Sequence, residues 1–159
     1  MIVKKNITFY LACLICWING SMFIATSINL FTVAAFCHYA DIGSIRAVSL
    51  TTMIQYFLVM FSLVYIGKFL KNTLTGQQTH KWIHSITFDE NKRHFRMFYS
   101  PYWGSMYGGM TAMGLMWMQI IPPDLFLETW ICVFPISLWA SIVFHRGLDA
   151  RKELADAES

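Results

Sequence analysis

The sequence predicts an all-α integral membrane protein of four transmembrane helices, with both termini on the cytoplasmic side and a tight hairpin between spans three and four. Three observations lead there. Of the 159 residues, 56% are hydrophobic and only 13% are charged, about half the charged share of a typical soluble domain. Four apolar segments are long enough to cross a hydrocarbon layer of ~30 Å, which takes about 20 residues of helix. The lysines and arginines fall almost wholly on one side of the alternation that these segments define.

The first span covers about 7–39. Met1 to Lys5 followed by an apolar run imitates a secretory signal, but the apolar core of a signal is ~7–15 residues long. This run continues to Tyr39, so it reads as an anchor that stays. Two spans would need roughly 40 residues and a turn, and positions 7–39 supply 33. One span is the better reading, some 50 Å long if helical throughout at ~1.5 Å per residue. It must tilt, bend near Asn19-Gly20-Ser21 or protrude; otherwise its outer part, Ile28 to Tyr39, lies along the interface as a separate piece. The second span runs about 47–69, the third 102–121 and the fourth 125–144. Pro122-Pro123-Asp124 separates the last two, because helices end before proline. Asp124 is expected to cap the fourth helix, with Glu128 in its first turn. The whole of 1–159 is then a single membrane domain, with a cytoplasmic loop at 70–101 and a cytoplasmic tail at 145–159.

Charge sets the orientation. With the N-terminus inside, Lys4, Lys5, Lys68, Lys71, Lys81, Lys92, Arg93, Arg96, Arg146, Arg151 and Lys152 are cytoplasmic, which leaves Arg46 alone outside among the 12 basic residues. The positive-inside rule needs less bias than that. The net charge of +3 follows from the asymmetry and implies no nucleic-acid partner. Tyr99, Tyr102 and Trp103 at one end, and Trp117 and Trp130 at the other, fit aromatic belts. A bacterial inner membrane is the expected location.

In the central loop, Thr87-Phe88-Asp89-Glu90 has capping-box spacing. The stretch after it places Phe95, Phe98 and Tyr99 on one helical face among Lys92, Arg93 and Arg96. A basic helix with an aromatic face suits an anionic membrane surface or a partner. His80 and His84 are four apart, as in helical metal-ligand pairs, with Asp89, Glu90 and His94 nearby. Membrane desaturases and hydroxylases use several such boxes and this chain has one, so the two histidines are weak metal candidates and no cofactor is expected.

Span three carries the most informative pattern. Gly104, Gly108 and Ala112 recur every four positions, with Ser105 and Gly109 beside them and Gly114 beyond. Small residues let helices approach closely in lipid, so this face is expected to pack against another helix, within the chain or in a partner. Met106, Met110, Met113, Met116 and Met118 wrap around the same span and suit adaptable packing. Cys13 and Cys16 sit among apolar neighbours and read as small packing residues. Cys37 and Cys132 fall near the outer ends of their spans and are a weak candidate disulfide. Asn19, Asn29, Gln55 and Gln119 are uncharged and are expected to make interhelical hydrogen bonds. His38, Asp41, Arg46 and Glu128 collect at the outer face.

No catalytic set stands out, and no enzymatic activity is expected. The sequence points to a structural, accessory or regulatory subunit of a membrane complex, a class that includes sensing, exclusion and immunity proteins. Its partners would be the bilayer and either copies of itself or another membrane protein. A small transporter or oligomeric pore is the alternative, and a membrane enzyme with a His-held metal comes after it. The four-span layout is similar to that of the small membrane subunits of tripartite periplasmic-binding-protein transporters, a likeness of topology alone.

Overall fold

A computed structural model of the chain describes residues 7–74 and 106–158, and these are all helical or in short turns, without a strand among them. Four helices follow one another: α1 (Ile7–Tyr39), α2 (Ser44–Leu74), α3 (described over 106–117) and α4 (Phe126–Glu158). α1, α2 and α4 are each long and apolar enough to cross a membrane. The described part of α3 is too short to count with them, since its expected start at 102 lies outside the described residues.

The structure settles the awkward first segment. α1 is one unbroken helix of 33 residues, so Ile28 to Tyr39 is not a separate interfacial piece. Its chain turns at once into α2. Ala40 still donates to the Phe36 carbonyl at 3.1 Å, Asp41 takes a left-handed φ of 49°, and Ala47 donates back to Gly43 at 3.0 Å. Aspartate is one of the few residues besides glycine that tolerates that conformation.

The helix bounds differ from the expected span bounds in several places. α2 begins at Ser44 and ends at Leu74, beyond 47–69 at both ends, so the first residues assigned to the central loop are helical. α3 stops at 117 rather than running to the proline pair. Its end is a Schellman turn: Gln119 donates to Met116 at 2.9 Å, Ile120 to Leu115 at 3.0 Å, and Gln119 supplies the left-handed residue at φ 59°. Asp124 does not cap α4. It sits inside a short 3-10 turn, Pro123–Leu125, that Pro122 precedes, and no side-chain cap bond is made there. Proline in the first turn of a helix lacks only an N–H that would have no helical partner anyway.

α4 also runs past its expected end. It is 33 residues long and carries Pro135 within it, so the tail at 145–159 continues the helix through Glu158. This extension packs. Leu148 is buried with Phe9 and Cys13, with Phe144 and Leu74 against them, and the Phe9 and Phe144 rings stack at 6.3 Å. A side chain at Gly147 would occupy the space of the Phe9 ring. Nearer the two turns, Met22, Ala25, Val59 and Met118 form a second apolar cluster.

The left-handed Gln119 is a local cost that glycine would remove, since a residue with a Cβ loses roughly 1–2 kcal/mol there. Gln119→Gly is expected to stabilise the bundle by about 1 kcal/mol and Gln119→Val to destabilise it, read as opposite shifts of the unfolding midpoint in mixed detergent micelles.

Candidate functional site

The helices bury one narrow face each, and those faces mix small and polar residues with a few large apolar ones. On α1 it is Phe9, Ala12, Cys13, Asn19, Ser21, Met22, Ala25, Thr26 and Asn29. On α2 it is Ala47, Thr51, Gln55, Val59 and Ser62, and on α4 Ser137, Ala140, Ser141 and Leu148. The largest fully buried side chains are Gln55, Asn29, Thr26 and Thr51, whereas Phe31, Phe57, Met60, Phe61, Val64 and Tyr65 point outward. Water-soluble bundles bury large apolar groups and expose polar ones. Here the order is reversed.

Asn19 is the junction of three helices. Its Nδ2 donates to Ser137 Oγ on α4 at 2.8 Å, and its Oδ1 accepts from Thr111 Oγ1 on α3 at 3.0 Å. A second cluster lies toward the turns. Asn29 Nδ2 donates to the Thr51 carbonyl and to Gln55 Oε1, both at 3.1 Å; Gln55 Nε2 then donates to Thr26 Oγ1 at 3.0 Å. Thr26 Oγ1 points on to the Met110 carbonyl at 3.5 Å. Both amide hydrogens of Asn29 meet acceptors, which fixes the orientation of its carboxamide. Its Oδ1 is buried and has no hydrogen-bond partner among the described residues.

The end of α3 is tied to α2 by the same chemistry. The Trp117 indole N–H is shared between the Val48 carbonyl and Thr51 Oγ1, at 3.2 and 3.1 Å. Tyr56 OH donates to the Met118 carbonyl at 2.6 Å. Between α1 and α2, the Trp17 indole N–H donates to the Leu63 carbonyl at 2.7 Å.

The small residues of α3 lie in this seam. A Cβ on Gly108 would stand 3.2 Å from the Phe134 Cα and 3.3 Å from Ser137 Oγ, one residue before Pro135. On Gly109 it would stand 3.3 Å from the Trp130 indole nitrogen, and on Gly114 it would be 2.8 Å from Thr26 Oγ1. Ala112 is fully buried. Gly108 and Gly109 thus lie against α4 while Gly114 lies against α1 and α2. Gly104 and Ser105 fall outside the described residues, as do Lys92, Arg93, Arg96, His80, His84 and the capping box at Thr87.

The pairing of Cys37 with Cys132 is corrected. Cys37 and Cys132 form no disulfide, and the helix register explains why. Phe9 meets Gly147 and Asn19 meets Ser137, so α1 and α4 run antiparallel with Cys132 level with residue 24 of α1. Cys37 is thirteen positions further on, about 20 Å along the axis, whereas a disulfide joins Cα atoms only ~4.4–6.8 Å apart.

The seam is made of carboxamides, hydroxyls, indoles and carbonyls, none of which gains or loses charge near neutral pH. Its chemistry is cohesion between helices. Thr26, Thr51, Thr111 and Ser137 were not singled out from the sequence, and Trp117, read there as a belt residue, instead bonds to α2. The signal was the recurrence of small or polar residues at three- and four-residue steps in each apolar helix. No known family, curated protein or solved structure matches this chain.

Because Gly108 faces the backbone of α4 while Gly109 faces a ring that can turn away, their substitutions separate. Gly108→Ile is expected to cost about 1–3 kcal/mol or prevent assembly, and Gly109→Ala less than 1 kcal/mol. Detergent unfolding curves of the two variants measure the difference.

Proposed function

We propose that this chain is a non-enzymatic, multi-pass membrane subunit that serves a larger membrane assembly in a structural, accessory or regulatory role. It crosses the bilayer four times with both termini in the cytoplasm, and a bacterial inner membrane fits this charge layout. The observation that carries the reading is the reversed bundle: buried polar groups that engage one another, and an exterior of large apolar side chains. Exposed phenylalanines and valines are stable only where hydrocarbon or another protein replaces water, at roughly 25 cal/mol per Å² of apolar surface. In lipid, helix association rests instead on close packing and interhelical hydrogen bonds, and the seam supplies both.

The same seam supports a cohesive role over a catalytic one. Asn19, Gln55, Thr111 and the amide hydrogens of Asn29 bond to neighbouring helices. With so little chain outside the apolar helices, a partner would be met by the helix exteriors and by the cytoplasmic segments, including the basic stretch with Lys92, Arg93 and Arg96. A small transporter or oligomeric pore is the second reading, and one observation favours it: the buried Asn29 Oδ1 is an acceptor with no hydrogen-bond partner among the described residues.

The deciding experiment is the size of the native complex in gentle detergent, with mass-spectrometric identification of its contents. The subunit reading predicts a different membrane protein held in fixed ratio with this one. A ring of this chain alone would favour the pore, and a lone monomer would contradict both.

A further inference from the structure

We infer that the bundle crosses the bilayer tilted by about 30°, with α2 and α4 meeting the same membrane surface at different bundle heights. This rests on the membrane reading above. The contacts give a common scale of height. Asn29 lies between Thr51 and Gln55, and Trp17 between Leu63 and Gly67: twelve residues forward on α1 match twelve back on α2. Phe9 with Gly147 and Asn19 with Ser137 give the same one-to-one register against α4. Met53 on α2 and Leu127 on α4 are therefore both level with Asn29.

The exposed charges nearest each apolar stretch mark where a helix leaves the hydrocarbon. On α2 these are Arg46 and Lys68; on α4 they are Glu128 and Arg146. Toward the turns, Arg46 stands seven residues beyond the Asn29 level and Glu128 one residue short of it, a step of about 12 Å at ~1.5 Å per residue. Toward the termini, Lys68 lies fifteen residues below that level and Arg146 nineteen, a step of about 6 Å. Both steps run in the same sense. A simple difference in apolar length would move the two marks in opposite senses, whereas tilt moves them together.

The lateral distance converts the step to an angle. α1 packs on both α2 and α4, and α3 bonds to α1 and α2 and touches the α4 backbone. α2 and α4 are thus the long diagonal of the bundle. With neighbours ~8–10 Å apart that diagonal is about 15 Å, and a mean step near 9 Å over it corresponds to about 30°, above the ~20° average for membrane helices. The tilt also shortens the projection of the 33-residue α1, whose length otherwise exceeds the hydrocarbon by a wide margin.

Spin labels test this directly in the full chain, with the four cysteines replaced by alanine or serine and the protein reconstituted in phosphatidylcholine–phosphatidylglycerol vesicles. Met53→Cys and Leu127→Cys place labels on exposed side chains at one bundle height. Collision with oxygen and with a water-soluble nickel chelate then reports depth. The expected result is that the Leu127 label lies about 7 Å nearer the aqueous surface than the Met53 label. Equal depths, or the reverse order, with both labels in the acyl region would overturn the tilt and leave the membrane reading intact. Labels at Met53 and at Phe57→Cys that both meet the chelate freely would overturn the membrane reading itself.

Discussion

On the proposed membrane reading, the interior of this bundle depends on one constraint: helices solvated by hydrocarbon gain little from burying apolar groups against each other, so something else must hold them. Asn19 shows the answer most compactly. One carboxamide donates to α4 and accepts from α3, so a single α1 side chain holds three helices at one height. Such bonds average roughly 0.6 kcal/mol each between membrane helices. Several of them, combined with glycine contacts that bring backbones together, join two small apolar clusters where a soluble bundle would have one continuous apolar core.

The local features follow from that constraint. Gly108 is small because the backbone beside Pro135 lies against it, and Gly114 is small because Thr26, Met22 and Gln55 converge there. Trp117 and Met118 are held by α2 through an indole and a phenol where the helix gives way to its turn. The two apolar clusters, around Met22 and around Phe9, lie along the same seam. With the inward faces committed to one another, the outer faces and the segments between the helices are left for any partner, which supports the proposed subunit role.

Much of the frame was legible in the sequence, and what was missed has physical causes. The length of 7–39 excluded a hairpin by arithmetic, and α1 is one helix. The glycine spacing in α3 was visible because three- and four-residue steps are the helical period itself. The end of α3 was misread because a proline pair is a strong local stop, while the stop at Gln119 is a tertiary choice: Trp117 and Met118 bond to α2 and the chain turns there. Asp124 looked like a cap by residue type, but Pro123 opens the turn first. The Cys37–Cys132 pairing failed because position within a span was taken for height, and α1 begins and ends at different heights from α4. The threonines and Ser137 were hard to read because a hydroxyl in an apolar helix can bond its own backbone, as Thr32 does to Ile28, and only packing shows which ones reach across.

The most direct test of this account is the unfolding free energy, in lipid-like mixed micelles, of a chain in which Asn19, Asn29 and Gln55 are all replaced by leucine. Leucine keeps the branching of asparagine and is larger and far more hydrophobic, so a seam held by apolar cohesion would gain from the added apolar contact. The account predicts a loss of about 2–4 kcal/mol, from the removal of several interhelical bonds at up to ~1.7 kcal/mol each. Unchanged or increased stability of the triple variant would contradict it.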